Sequence, residues 1–503
     1  MKYIEEGKVE IIERYNKKDK KKAEKPVLEH GNIVFCKGND GAGSFYGIVY
    51  ENGVLELQCG SDAYIKTREN LHIGDTVSYW TIEYACKAKL IIEEIVKEWY
   101  IVKTADGNLK IFTKNIEEEA IKQIDELLEQ EPFKDCKVRI MPDVHAGKGC
   151  VIGFTADLEN KVIPNIVGVD IGCGMLCVEL GNIELNLEKL DNIINEHIPA
   201  GRNIREQKLI DFEKINELYC LRELKESKKF NRAIGTLGGG NHFIEIDIDD
   251  EDNKYLVIHT GSRNLGKQVA DYYQDLAVEV CSGKEEMFKK KEKIIKEYKE
   301  QGRKSEIQQA LKDLEKEYKN NNPNLPKDLC YLEGKYREMY LHDMKICQEY
   351  ASLNRCYIAR TILLNMGMQI YQKHFETIHN YISFEDNIVR KGAISAKKGE
   401  KVLIPINMRD GSIIAVGKGN EDWNNSAPHG AGRIMSRMKA KETFKLDDFK
   451  ESMKGIYTTS VVEETIDEAP FVYKPMQEII DNIQDTVEIQ KIIKPIYNFK
   501  AKN

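Results

Sequence analysis

The stretch VIPNIVGVDIGCGM occupies residues 162–175 and joins an apolar run to a glycine-rich turn. Gly172 and Gly174 flank Cys173, and a turn of this composition is not helical for long. The turn therefore places the carboxylate of Asp170 and the thiol of Cys173 at one point of the fold, and both groups are metal ligands. A second interpretation stays open, in which Cys173 is a small buried residue of a strand turn, as we expect for Cys177.

Histidines occur in similar short motifs elsewhere in the chain. Five of the ten histidines lie in glycine-rich or polar motifs: His145 in MPDVHAGKG, His242 in GTLGGGNHFIEI, His259 in VIHTGSRNLG, His379 in IHNYISFE and His429 in SAPHGAGR. Glycines let the backbone approach a ligand closely. Three histidines from distant strand ends could complete one or two metal sites with Asp170 and Cys173. Ligand softness alone favours zinc for such a set.

Composition indicates a soluble globular protein. The chain has 503 residues, of which 41% are hydrophobic and 31% charged, and a net charge of −8. The length suggests two to four domains, and the net charge argues mildly against a surface coated with nucleic acid without excluding a local basic groove. We find no secretory signal and no apolar run long enough to span a bilayer. Twelve cysteines without a CxxC pair indicate reduced thiols, so we expect a cytoplasmic location.

The N-terminal part divides into a tail and a small β-rich domain. Residues 1–30 form a polar tail whose basic run KKDKKKAEK, at 17–25, indicates a solvated tether rather than a nucleic-acid arm. In residues 31–97, Asn52-Gly53 between alternating apolar residues predicts a hairpin, and DAYIK predicts a further strand. This order of features resembles a cold-shock-type OB barrel, in which Phe45, Tyr46, Tyr64 and Lys66 would contact RNA bases and backbone. A small barrel whose aromatic residues form the core fits equally well.

Residues 98–503 form the third predicted domain, with glycine-rich motifs that alternate with apolar strands. Asn115 and Glu118 match the capping box of an amphipathic helix that follows. The highly charged segment 284–321 has a helical period and is interrupted at Gly302, so it predicts a two-helix hairpin insertion. We favour a solvated projecting arm for this insertion, and a basic face for RNA is the alternative.

Taken together in chain order, the motifs resemble the RtcB family of RNA ligases. The motifs that carry the resemblance are MPDVHAGKGCVIGFT, VIPNIVGVDIGCGM, GGGNHFIEI, HTGSRNLG, YLHDMKICQEYA, INMRDGS and APHGAGR. The resemblance covers roughly residues 98–503, and residues 1–97 lie outside it. It implies an α+β catalytic domain of packed β-sheets with peripheral helices.

The resemblance also implies an activity. Members of this family join an RNA 3′-phosphate or 2′,3′-cyclic phosphate end to a 5′-hydroxyl end, in tRNA splicing or RNA repair, with GTP and two Mn²⁺ ions in each active site. Cys173 would bridge the two metals, Asp170 and His242 would hold one of them, and His259 and His379 the other. Ligand softness alone predicts zinc and not manganese. We expect manganese, because the resemblance to the family implies it.

His429 resembles the nucleophile of the family, which carries GMP as a phosphoramidate before the GMP passes to RNA as RNA-ppG. The small residues beside it would allow close approach of a nucleotide, Asp143 would orient its ring or accept a proton, and Arg433 would stabilise phosphate charge. Further positions match those that surround the guanylate, and Glu245 among them would read the guanine edge. These positions are Asn241, Glu245, Asn407, Tyr473 and Lys500.

Two rivals to a ligase are weighed against these motifs. A binuclear metal-dependent phosphodiesterase would use the same metal ligands but has no need of His429. A non-catalytic RNA-binding protein would have no need of intact metal ligands. The expected partners are RNA with the ends described above and an archease-type activator, and no membrane is expected.

Overall fold

The computed structural model describes the strands between residues 10 and 104, and residues 107–501 apart from 134–135, 283, 302, 304–305, 322–324 and 371. The chain divides into two compact units, Met1–Lys114 and Asn115–Asn503. The domain limits expected from the sequence, at 30/31 and 97/98, remain predictions.

The first unit is built from antiparallel strands. One sheet has the order β1-β7-β2-β3-β4-β5, and β6 also pairs with β7. β3 and β4 pair antiparallel on either side of Asn52-Gly53, and the predicted strand DAYIK is β5. β8 and β9 pair antiparallel as a hairpin. The strands are β1 (Glu10–Arg14), β2 (Ile33–Gly38), β3 (Phe45–Val49), β4 (Val54–Gln58), β5 (Asp62–Lys66), β6 (Thr76–Thr81), β7 (Cys86–Lys97), β8 (Tyr100–Thr104) and β9 (Gly107–Ile111).

The strand register places the predicted aromatic positions Phe45, Tyr46 and Tyr64 on two different faces of the sheet. Ile48 pairs with Glu56, and Glu56 pairs with Tyr64, so these three positions share one face of the sheet. Because alternate positions of a strand lie on the same face, Tyr46 shares the face of Tyr64, and Phe45 lies on the opposite face. Lys66 is on the face of Tyr46 and Tyr64. The barrel and its contacts with RNA stay predictions.

The second unit is a mixed helix-and-strand domain with packed sheets, as predicted. Its largest sheet has the order β17-β13-β15-β14-β24-β22-β21, and another contains β18, β19, β11 and β10 in that order. β12 pairs with β16, and β20 with β23. The strands are β10 (Lys137–His145), β11 (Ile152–Asp157), β12 (Lys161–Val162), β13 (Gly174–Gly181), β14 (Phe243–Ile248), β15 (Lys254–Thr260), β16 (Leu332–Glu333), β17 (His374–Ile378), β18 (Tyr381–Ile382), β19 (Ile388–Lys391), β20 (Ala393–Ser395), β21 (Lys401–Asn407), β22 (Gly411–Gly417), β23 (Ser426–Pro428) and β24 (Val487–Lys500).

Helices surround these sheets, and the longest is α8. The helices are α1 (Glu118–Leu128), α2 (Pro164–Val167), α3 (Leu187–His197), α4 (Phe230–Ala233), α5 (Arg263–Cys281), α6 (Lys284–Glu300), α7 (Ile307–Asn321), α8 (Gly334–Met366), α9 (Arg437–Thr443), α10 (Leu446–Ser452) and α11 (Met476–Ile483). Short 3-10 turns cover Glu131–Phe133, Glu213–Glu217, Leu221–Glu223, Ser227–Lys229, Lys327–Leu329, Glu421–Trp423, Glu463–Glu468 and Pro470–Val472. Within the described residues, no helix is both long and apolar enough to cross a membrane.

The largest sheet is buried on both faces because its central strands β13 and β15 are nearly continuous buried runs. Leu176 and Val178 of β13 pack with Ile258 of β15 in a cluster that also includes residues of α3 and α8. The intervening positions, Met175 and Cys177, face a second cluster that includes residues of β21, β22 and β24. Cys177 is fully buried, as expected. This two-sided burial fixes the ends of the strands, where the candidate site lies.

Two sequence-based expectations about helices have different outcomes. The predicted insertion contains two helices, α6 and α7, that contact each other, and Gly302 lies outside the described residues. The predicted capping box is wrong, because α1 begins at Glu118 and its N-cap is Glu117, without a side-chain cap. The side chain of Asn115 instead donates a hydrogen bond to Glu478 Oε2 at 3.1 Å, so a tertiary contact has replaced the local one.

Candidate active site

The predicted metal ligands lie at the ends of four neighbouring strands, on one side of the largest sheet where these strand ends meet. The Asp170–Cys173 turn precedes β13, His242 precedes β14, His259 lies at the end of β15, and His379 follows β17. Cys173 Sγ lies 3.5 Å from His242 Nε2 and 3.3 Å from His259 Nε2. His242 Nε2 lies 3.1 Å from Asp170 Oδ2. Residues up to 89 positions apart in the chain therefore present ligand atoms to one point.

His379 completes this group on the side that faces His429. Its ring centroid lies 5.3 Å from that of His259 and 4.8 Å from that of His429. The backbone N–H of His379 donates to Cys173 O at 2.8 Å, which ties the two loops together. His379 Nδ1 is buried, and among the described residues it has no hydrogen-bond partner. A buried nitrogen of this kind is suited to a metal ion.

Backbone carbonyls orient two of the imidazoles. His242 Nδ1 lies 3.0 Å from Leu237 O, and His259 Nδ1 lies 3.2 Å from Asn241 O. An Nδ1–H that donates to a carbonyl leaves the Nε2 lone pair available, and Nε2 of both rings lies next to Cys173 Sγ. The backbone therefore selects the tautomer that a metal ligand needs.

The electrostatics of the group call for a cation. Burial, with the charges of neighbouring histidines, holds the pKa values of His259 and His379 well below the usual range, so both rings are neutral. Burial raises the pKa of the Cys173 thiol well above its usual range, and the charge of Asp170 adds to the rise. Burial also opposes ionisation of Asp170, but the close contact with His242 and the charge of Arg263 together outweigh burial and lower the pKa of Asp170. A metal ion would stabilise the thiolate, so this donor set fits one.

His429 is held by a buried carboxylate. It follows β23, and its Nδ1 lies 2.6 Å from Oδ2 of Asp143 on β10, while its backbone N–H donates to the same oxygen at 3.2 Å. Asp143 is fully buried and the His429 side chain is 15% exposed. Gly432 has a φ of +76°, and a Cβ there would lie 2.2 Å from Asp143 O, so only glycine allows this approach. With Nδ1 engaged, Nε2 is the ring nitrogen left for chemistry.

A cavity of about 590 Å³ opens beside His429. Its volume lies within the range of small-molecule sites, which is roughly 300–1,000 Å³. Its lining includes all the residues assigned by resemblance to the nucleophile, the phosphate and the guanylate: Asn241, Glu245, Asn407, His429, Arg433, Tyr473 and Lys500. His259 also lines it, so the cavity adjoins the metal-ligand group.

One end of the cavity carries a cluster of charges around Glu468. Arg437 Nη1 lies 2.8 Å from Glu468 Oε1, and Arg433 Nη1 lies 3.4 Å from the same oxygen. Lys500 Nζ lies 2.8 Å from Oε2, to which the Tyr473 hydroxyl donates at 2.6 Å. Burial raises the pKa of Glu468, but the three cations outweigh it and bring it to about 2. Arg437 also pairs with Asp467 at 2.8 Å, so three cations against two carboxylates leave a net positive site suited to phosphate.

A second carboxylate, Glu245 on β14, lies deeper in the cavity wall. Asn498 Nδ2 donates to its Oε1 at 2.5 Å. Burial raises the pKa of Glu245 to about 7, although the hydrogen bond from Asn498 and the charge of Lys500 act in the other direction. Asn407 donates through Nδ2 to Asp410 Oδ2 at 2.8 Å. The cavity therefore has hydrogen-bond acceptors at a distance from its cationic end.

Sequence reasoning missed three residues that line the cavity: His145 had no role assigned to it, and Arg437 and Glu468 were not considered. Burial lowers the pKa of His145 to about 4, so its ring is neutral. Arg437 follows Arg433 by four residues in GRIMSR, a spacing that could have drawn attention to it. Glu468 stands in EETIDEAP, five residues before Tyr473, and nothing in this acidic stretch distinguishes it from its neighbours.

Comparisons with known proteins agree with the geometry. The profile of the family described as tRNA-splicing ligase RtcB matches residues 126–223 and 221–501. An RNA-splicing ligase RtcB1 from Escherichia coli is 31% identical over 80% of this chain and 99% of its own length. RNA-splicing ligase RtcB of Escherichia coli K12 is 30% identical over the same shares. A tRNA-splicing ligase RtcB from Nanoarchaeum equitans is 27% identical over 70% of this chain and 85% of its own length. The chain belongs to the RtcB family.

Proposed function

We propose that this protein is an RNA ligase that joins RNA 3′-phosphate or 2′,3′-cyclic phosphate ends to 5′-hydroxyl ends, with GTP as co-substrate and Mn²⁺ as metal. The observation that carries the proposal is the position of His429. It lies against the buried carboxylate of Asp143, beside the metal-ligand group, at the wall of a cavity with a cationic end. A hydrolase built on the same ligands needs no such histidine.

The metal ligands divide into two sets that share Cys173. Asp170 and His242 would hold one Mn²⁺ ion, His259 and His379 the other, and Cys173 would bridge them. Bound metal ions would supply charge stabilisation for phosphate oxygens during the transfers. The contacts of Cys173 Sγ with both His242 and His259 support this division.

His429 acts as the nucleophile in the first step. Its Nε2 attacks the α-phosphorus of GTP, an N–P bond forms, and the bond to pyrophosphate breaks. Asp143 keeps Nδ1 protonated and stabilises the positive charge that develops on the ring. The RNA 3′-phosphate next displaces His429 to give RNA-ppG, and the RNA 5′-hydroxyl then displaces GMP and seals the strand. A cyclic phosphate end is first hydrolysed to the 3′-phosphate.

The remaining cavity residues bind the guanylate. Arg433 and Lys500 neutralise phosphate charge at the end of the cavity where both side chains pair with Glu468. Glu245, when ionised, accepts hydrogen bonds from N1–H and the exocyclic amine of guanine, groups that adenine does not present in this pattern. Asn241, Asn407 and Tyr473 complete the surroundings of the nucleotide.

The wider setting of the reaction follows from the same proposal. The substrate is RNA in tRNA splicing or repair, the location is cytoplasmic, and an archease-type protein is the expected activator. Residues 31–97 would fold as a cold-shock-type barrel whose Tyr46, Tyr64 and Lys66 contact single-stranded RNA, with Phe45 as the fourth residue predicted from the sequence.

A labelling experiment tests the ligase against both rivals. The protein is incubated with Mn²⁺ and GTP radiolabelled at the α-phosphate and separated on a denaturing gel. We expect a covalent label that is labile to acid and stable to alkali, as phosphoramidates are, and that is lost in His429→Ala. A phosphodiesterase or a non-catalytic RNA-binding protein would take no label. Equal labelling of His429→Ala would show that another residue is the nucleophile.

A further inference from the structure

Two adjacent polar residues of α8 lie behind the metal-ligand group. Asn354 and Arg355 stand in the middle of this 33-residue helix, and both have no exposed surface. A helix that only packs against a sheet needs apolar residues at such positions, and a buried guanidinium loses its hydration. The hydrogen bonds that these two side chains make therefore indicate what they do.

Asn354 joins the loop that precedes His242 to the segment that follows His259. Its Oδ1 accepts from the backbone N–H of Gly235 at 2.8 Å and of Thr236 at 3.0 Å. Its Nδ2 donates to Thr236 O at 3.2 Å and to Gly261 O at 3.1 Å. One amide thus fixes the distance between the two loops that carry two of the ligands.

Arg355 joins the other two ligand-bearing segments to the same centre. Its Nη1 donates to Gly172 O at 3.0 Å, next to Cys173, and to Thr260 O at 2.9 Å, next to His259. Its Nε lies 3.1 Å from Oε1 of Glu376 on β17, three residues before His379. The rigid, planar guanidinium therefore holds three segments in one arrangement.

We propose that Asn354 and Arg355 are positioning residues that set the mutual placement of all four segments that carry the metal ligands. This inference rests on the metal centre of the proposed function. Between them the two side chains contact the segments of Asp170 and Cys173, of His242, of His259 and of His379, and neither contacts a ligand side chain. The role is to hold the ligands in place before metal binds, so that binding does not require the loops to be ordered.

Cobalt binding tests the role without relying on activity. Co²⁺ is titrated into the metal-free parent, Arg355→Met and Asn354→Leu, while the thiolate-to-cobalt absorption of Cys173 is recorded. We expect both variants to bind Co²⁺ about 10- to 100-fold more weakly than the parent, with a weaker or shifted thiolate band. Arg355→Lys, which can still donate to Gly172 O or Thr260 O, should recover part of the affinity. Arg360→Met, an exposed position on the same helix, should match the parent.

Milder changes keep the test decisive if Arg355→Met does not fold. Glu376→Gln removes the charge that pairs with Arg355, and Asn354→Ser keeps a small hydrogen-bonding side chain in place of the amide. Each should weaken Co²⁺ binding in a protein whose circular dichroism matches the parent. The single-turnover rate of guanylylation should fall while the GTP concentration for the half-maximal rate stays unchanged, because Asn354, Arg355 and Glu376 do not line the nucleotide cavity as the described residues define it. Folded variants with the parent's affinity and spectrum would overturn the positioning role alone. A parent without any thiolate–cobalt band would overturn the metal centre itself.

Discussion

At the residue scale, the contact between His429 and Asp143 determines whether a histidine can act as a nucleophile. One carboxylate oxygen accepts from both Nδ1 and the backbone N–H of His429. The ring is therefore fixed in orientation and tautomer, and Nε2 remains unprotonated in the neutral ring. A negative charge behind the ring also stabilises the cation that forms as Nε2 attacks phosphorus.

Removing that charge should slow guanylylation without loss of the fold. In Asp143→Asn the amide oxygen can still accept from His429, so the ring keeps its position while the stabilising charge is lost. We expect the single-turnover labelling rate with α-labelled GTP to fall by about 10²- to 10⁴-fold. Asp275→Asn, at an exposed position of α5, is the matched control and should label at the parent rate. An unchanged rate in Asp143→Asn would exclude a role for the charge.

Glu245 gives the nucleotide site a pH dependence. Its pKa of about 7 means that the carboxyl is neutral below this pH and ionised above it. The groups that act on it are Asp247, which stays protonated because burial and Glu245 raise its pKa, together with Asn498 and Lys500. Since the ionised form accepts from guanine, GTP affinity should rise as pH increases to about 7 and then level off.

Equilibrium binding of GTP between pH 5.5 and 8.5, at about half-unit steps, measures this effect. The loss below pH 7 should approach tenfold per pH unit. Glu245→Gln should bind GTP more weakly at high pH, and its affinity should not change with pH in this way. Because the GTP phosphates titrate equally in both experiments, comparing parent and variant cancels their contribution. Parallel pH profiles for parent and variant would rule out Glu245 as the reader of guanine.

At this scale the sequence indicated the candidate ligands but not their environment. Asp170, Cys173 and His429 stood out because glycines surround them in the chain. Glu468 did not, because its function depends on Arg433, Arg437 and Lys500, which reach it from 31 to 35 residues away in the chain. Arg355 gave no signal either, since a polar residue in a helix reads as exposed until tertiary packing buries it.

At the element scale, short sequence patterns predicted those helices and strands that are stabilised by contacts between residues close in the chain. The antiparallel pairing of β3 with β4 and the two insertion helices follow from turn chemistry and helical period. The cap of α1 did not follow, because Asn115 contacts Glu478 of α11, 363 positions away. A side chain with two available partners takes the one that tertiary packing brings close, and sequence spacing does not reveal that partner.

The helical insertion is an element that the catalytic centre should not need. The chain segments that flank it lie close together, since the Cys281 thiol donates to Tyr331 O at 3.3 Å, so a short linker can close the gap. We expect that replacing residues 284–321 by a short Gly/Ser linker preserves the fold, the metal content and guanylylation at His429. Thermal unfolding, elemental analysis and labelling measure the three properties. Loss of labelling in the folded variant would contradict this expectation.

The same variant separates the two interpretations of the insertion. A solvated arm predicts an unchanged RNA concentration for half-maximal ligation. A basic RNA-binding face predicts a higher one, with a smaller salt dependence of RNA binding than in the parent. A matched variant with exposed lysines at 290 and 293 changed to glutamine should show the second effect alone if the face is basic.

At the scale of the whole molecule, catalytic ligands and accessory strands belong to different compact units. The family profile begins at residue 126, within the second unit, whose strand ends create the site. No periodicity in the sequence specifies that β13, β14, β15 and β17 are neighbours, because sheet order is set by contacts between distant segments. The resemblance to a family supplied a shared set of candidate ligands instead of the sheet order, and it supplied nothing for the first unit.

The first unit should therefore contribute to RNA binding and not to guanylylation. Deleting residues 1–97 should leave GMP transfer to His429 intact while raising the RNA concentration needed for ligation. Tyr46 and Tyr64 share a face of the sheet with Lys66, an arrangement suited to stacking on single-stranded bases, at roughly 1–3 kcal/mol per base. Tyr46→Ala with Tyr64→Ala should weaken RNA binding by about tenfold or more.

Phe45 supplies the control because register places it on the other face of the same strand. If the face of Tyr46 and Tyr64 binds RNA, the double variant stays folded and loses affinity, and the loss changes little with salt because stacking is not ionic. Phe45→Ala should then leave RNA affinity unchanged where the unit stays folded. If the aromatic residues instead form a core, the double variant unfolds the unit, which circular dichroism detects. A folded double variant with the parent's RNA affinity would exclude RNA binding by this face, because the two aromatic rings would have been removed without any loss of affinity.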